Sequence, residues 1–76
     1  MPSTEPREMV EQHLAEAEKA VTEGRVHIAS QVQIIADLKR GDNDTAAAEA
    51  LLRTLMETQR LHEEHRDRLR QELGLA

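Results

Sequence analysis

Apolar residues recur along this chain in alternating steps of four and three. One series runs Val10, Leu14, Ala17, Val21, Gly24, Ile28, Gln31, Ile35 and Leu38. A second runs Ala48, Leu52, Leu55, Gln59, His62, Arg66, Leu69 and Leu73. This is the seam of a heptad repeat, in which every seam position returns to one side of an α-helix. Val32 and Ile34 flank the first seam, and Leu51 and Met56 flank the second. The apolar stripe is therefore expected to be widest beside the segment joining the two series. It becomes polar in the second half of the second series.

The helix-breaking residues divide the chain at the same places. Pro2 and Pro6 confine residues 1–6 to an N-terminal tail and cap, with Ser3 or Thr4 as capping candidates and Pro6 tolerable in a first turn. No proline and one glycine occur from Arg7 to Arg40. Gly41-Asp42-Asn43-Asp44-Thr45 then gathers the turn-forming residues. The pattern predicts a helix over 7–40, a turn over 41–44, a helix over 45–73 and a C-terminal tail over 74–76. Gly41 is expected in the left-handed position after the first helix, and Gly74 gives a second stop. Asp44 or Thr45 is expected to cap the second helix. Glu5, Glu8 and Glu11 sit near the start of the first helix and Lys39 and Arg40 at its end, which complements the helix dipole.

Helices of about 50 Å and 43 Å at ~1.5 Å per residue, joined by so short a turn, must run antiparallel. The expected fold class is all-α: a coiled-coil-like two-helix hairpin. Residues whose numbers sum to about 85 face each other, so Ala17 lies near Leu69 and Gly24 comes level with Leu61 and His62. Gly24 has two readings, room for His62 or a partner helix, and a tolerated surface glycine. Gln31 and Gln59 also have two: seam residues that fix one oligomer geometry, or edge residues that reach water.

Two helices cannot enclose a core, and ordering costs roughly 1.5 kcal/mol per residue. The chain holds 76 residues and no cysteine, so neither size nor a disulfide compensates. A second copy does, by completing a four-helix bundle with two-fold symmetry. The residues expected at that self-association interface are Leu14, Val21, Ile28, Gln31, Ile35 and Leu38 of the first helix. Leu51, Leu52, Leu55, Gln59 and Leu69 of the second complete the set.

Composition narrows function. Without Phe, Trp or Tyr, stacking platforms for single-stranded nucleic acid and aromatic cages are excluded. Lys+Arg 10 against Asp+Glu 15 gives a net charge of −5, a poor match to nucleic-acid phosphates. Nothing resembles a signal peptide or a span of ~20 apolar residues, so no membrane association and a cytoplasmic location are expected. Zero aromatic residues suit a thin seam of Leu, Ile, Val and Ala at close helix spacing.

Four histidines test for chemistry. His62-Glu63-Glu64-His65 places His62 and His65 three apart, unlike the HExxH metal motif. No Glu stands three residues before any histidine, as carboxylate-bridged di-iron bundles require. His62 and His65 are weak metal candidates, set against a solvated face with Glu64 paired to Arg68. Histidine-kinase dimerisation domains share the hairpin architecture. However, His27 is followed by Ile28 with no proline after it, and His62 sits on the second helix and in the seam. No phosphate loop or nucleophile triad is present, and no enzyme activity or cofactor is expected.

The stretch from His27 to Leu69 resembles a group of small uncharacterised bacterial helical-hairpin proteins. Gln31, Ile34-Ile35, Leu38, Gly41, Asp44-Thr45, Ala48, Leu51-Leu52, Gln59, His62 and Arg66-Asp67-Arg68-Leu69 carry the resemblance. It implies a bacterial cytoplasmic hairpin and supplies no activity or functional residue. The sequence as a whole points to a homodimer serving protein–protein interaction, with another protein as a further partner. The alternative is His-dependent, phosphotransfer-like signalling or metal binding through His62 and His65.

Overall fold

A computed structural model describes residues 6–75. They form two helices, α1 (Arg7–Arg40) and α2 (Ala46–Glu72), packed along each other, with no strand among them. The molecule is a rod of 56 × 17 × 17 Å. Its radius of gyration is 17.0 Å, against about 11 Å for a compact domain of this length.

The helices begin differently. Pro6 stands just before α1 with ψ 144°, and its carbonyl accepts from the Met9 and Val10 amides at 3.0 and 3.2 Å. Its ring therefore lies outside the first turn. Ser3 and Thr4 lie outside the described residues. At α2, Asp44 rather than Thr45 supplies the cap: its Oδ1 accepts from the Ala46 amide at 3.0 Å, and Thr45 makes no side-chain cap bond.

Both helices end in the same way. After α1, the Asn43 amide donates to the Leu38 carbonyl at 2.9 Å and the Asp42 amide to Lys39 at 3.1 Å. After α2, Leu75 donates to Arg70 at 2.8 Å and Gly74 to Gln71 at 3.0 Å. Each is a Schellman arrangement, pairing carbonyls that the helix leaves open. Gly74 takes the left-handed position of the second, at φ 76°. In the first, that position falls to Asp42 at φ 61°, and Gly41 stays at φ −86°. The expectation for Gly41 is thus off by one residue. The motif counts from the last paired carbonyl, and aspartate is among the few side chains that tolerate this conformation.

The consolidated core lies at the open end of the hairpin. Val10, Leu14, Ala17, Leu69 and Leu73 form one buried cluster there, with the expected pairing of Ala17 and Leu69. Val21 and Ile35 are buried further along α1. Beside the turn, where the stripe is widest in sequence, Val32, Ile34, Leu51 and Met56 remain about half exposed.

Two glutamines clasp the helices in opposite directions. Gln31 of α1 donates through Nε2 to the Ala48 carbonyl at 2.9 Å. Gln59 of α2 donates through Nε2 to the Val21 carbonyl at 2.8 Å. Both are only 7% exposed, so neither reaches water from the seam edge. Only the amide NH2 can meet a carbonyl oxygen, which fixes the Gln59 orientation and turns its Oε1 onto α1. That oxygen lies 1.8 Å from where a Cβ on residue 24 would sit. Gly24 therefore makes room for Gln59 and not for His62. Oε1 is buried and accepts no conventional hydrogen bond among the described residues.

Candidate functional site

Six residues of the expected interface set are used inside the chain. Leu14, Val21, Gln31, Ile35, Gln59 and Leu69 are buried in the hairpin itself. Ile28, Leu38, Leu52 and Leu55 are half-buried at the seam edges, and Leu51 is 49% exposed. The accessible surface of the chain is 5749 Å², whereas a compact 8.6 kDa protein exposes about 4,700 Å². The excess, roughly 1,000 Å², is comparable to the ~800 Å² that each partner buries in a standard interface.

The two long sides of the hairpin differ in chemistry. With the seam residues lettered a and d, position g precedes a and position e follows d. Two antiparallel helices bring g beside g on one side and e beside e on the other. The e side carries Glu11, Glu18, Arg25, Val32 and Lys39 from α1, with Glu49, Met56, Glu63 and Arg70 from α2. Lys39 and Glu49 approach to 3.7 Å across the helices. Such charged flanks are usual where a coiled coil meets water.

The g side carries His13, Ala20, His27 and Ile34 from α1, with Leu51, Thr58, His65 and Glu72 from α2. Its single formal charge, taking histidine as neutral, is Glu72. Two adjoining depressions run along this side and share Ala20 and His62. The first, about 150 Å³, reaches from His27 past Gly24 to Leu55 and Gln59. The second, broader one lies between His13 and Glu16 on α1 and His65 on α2. All four histidines therefore border one side of the rod. The steps of seven from His13 through Ala20 and His27 to Ile34 are the sequence signal for this grouping. It becomes readable once the flanks, rather than the seam, are followed.

His62 is half-buried between the depressions and His65 is exposed beside the second. Among the described residues, no three His, Asp or Glu side chains are placed to hold a metal ion. Glu64 meets Arg60, one turn before it, at 3.7 Å in place of the expected Arg68, one turn after it. Exposed pairs of this kind differ by little in energy, and one carboxylate satisfies either partner. Arg66 is largely covered, 18% exposed in its side chain, and bonds Asp67 at 3.0 Å. The smaller depression falls below the ~300 Å³ of ordinary ligand pockets and the larger opens to solvent.

No helix among the described residues is long and apolar enough to cross a membrane. No protein-family model, curated protein or solved structure matches the chain.

Proposed function

We propose that this protein is a non-enzymatic, self-associating interaction module, whose two-helix hairpin pairs with a second copy to complete a four-helix bundle. The observation that carries the reading is the uncovered apolar surface beside the turn. Val32, Ile34, Leu51 and Met56 are each about half exposed, on a rod whose total surface exceeds the compact value by roughly an interface's worth. A thin hairpin gains stability by covering part of that surface, and its long sides offer extended contact to like-shaped helical partners. Its role is that of a small structural or regulatory component acting through protein contacts.

Light scattering after size exclusion tests this. The expected mass is at least twice 8.6 kDa, detected by refractive index because the chain has no Trp or Tyr. A stable 8.6 kDa species across the concentration range overturns the reading.

A further inference from the structure

We infer that the second copy docks on the g side of the hairpin, with both turns at the same end of the assembly. The inference rests on the self-association proposed above and names its surface and its geometry.

The choice of side follows from the cost of removing charges from water. Interface cores are depleted of Lys and Glu, because each buried charge must be desolvated and re-paired. Covering the e side removes Glu11, Glu18, Arg25, Lys39, Glu63 and others from solvent. Covering the g side removes one formal charge at its g positions, with Glu16 and Glu23 at the rim of the depressions. The g side is also the hollowed one. Ala20 and Thr58 line its middle, and small residues there let a partner helix approach closely.

The choice of direction follows from the gradient along that side. Ile34 and Leu51, 47% and 49% exposed, stand at the turn end. The open end carries His13, Glu16, His65 and Glu72. Turns at opposite ends would lay those polar groups on Ile34 and Leu51. Turns at the same end lay apolar surface on apolar surface and leave the polar groups beside their own kind near solvent. A second copy is the occupant because the side then matches itself under a two-fold axis along the rod.

Paired substitutions on the full-length chain test the side. Ile34→Glu and Leu51→Glu are expected to raise the self-dissociation constant by about 30-fold or more, as hot-spot losses do. Val32→Glu and Met56→Glu, on the e side with similar exposure, are expected to change it less than about 3-fold. Circular dichroism checks that each variant remains helical.

Direction is read separately. The chain has no cysteine, so Asn43→Cys gives one spin-label site, at the turn. Dipolar distances within about 25 Å, two helix diameters, are expected. Distances near the 56 Å length of the rod overturn the same-end geometry even where a variant fails to fold. Dissociation by the e-side pair, with the g-side pair silent, overturns the choice of side and leaves the self-association standing. A wild-type chain that is monomeric throughout overturns both.

Discussion

The open half of the hairpin buries more of its apolar side chains than the half beside the turn does. At the open end, Val10, Leu14, Ala17, Leu69 and Leu73 bury one another into a cluster. Beside the turn, Val32, Ile34, Leu51 and Met56 lie about half in water. The difference is one of heptad position. The open-end residues all occupy a and d, which face the other helix. The exposed turn-end residues occupy e and g, which an isolated pair of helices cannot cover. A count of apolar residues thus misplaces the core. The lettered pattern places it correctly and marks the surface left over for a partner.

The comparison breaks most visibly at leucine. Leu14→Ala or Leu69→Ala is expected to cost about 2–4 kcal/mol through lost burial and the void left behind, enough to unfold so small a hairpin. Leu51→Ala, an equal truncation in the turn half, should cost under about 1 kcal/mol in the isolated hairpin. Melting followed by circular dichroism at low protein concentration measures both. Equal losses would contradict the division into a buried half and a waiting half.

A smaller effect is expected where the halves meet. Gly24→Ala gains roughly 1 kcal/mol of helix propensity, yet its methyl group would stand 1.8 Å from Gln59 Oε1. Displacing the Gln59 amide sacrifices its bond to Val21 and strains the seam, so a net loss of about 1–3 kcal/mol is expected. Adding Gln59→Ala to Gly24→Ala should return part of it. A double-mutant cycle showing no coupling would mean that the clasp contributes nothing.

Gln31→Leu exchanges the bond to Ala48 for apolar burial, and the two effects nearly cancel. A stability change within about 1 kcal/mol is expected by denaturant titration. Smallest is Asp42→Gly, which places glycine in the left-handed position of the turn and should stabilise by about 0.5–1 kcal/mol. A loss on that substitution would show that the Asp42 side chain has a role beyond tolerating its backbone angle.

Most of the fold is legible in the residues. Pro6, Gly41 and Gly74 bracket two uninterrupted heptad series, and the observed helices, Arg7–Arg40 and Ala46–Glu72, lie between them. The left-handed residue at 42 was less legible, because the Schellman register depends on which carbonyls remain unpaired and not on where the glycine sits. The clasp between Gln59 and Gly24 was hidden for a different reason. It needs the distance between two backbones, which spacing along one chain does not contain. The histidine-bordered side is legible in the flank positions His13, Ala20, His27 and Ile34, which recur every seven residues outside the seam.

Gln31 and Gln59 each donate to a backbone carbonyl rather than to a side chain. The residues that own those carbonyls, Ala48 and Val21, are consequently free to change identity without loss of either bond. The constraint falls instead on positions 59 and 24, because a larger residue at 24 evicts the glutamine. Among descendants of this chain, those two positions are expected to drift together, while their hydrogen-bonded counterparts at 21 and 48 drift only within the limits of the seam.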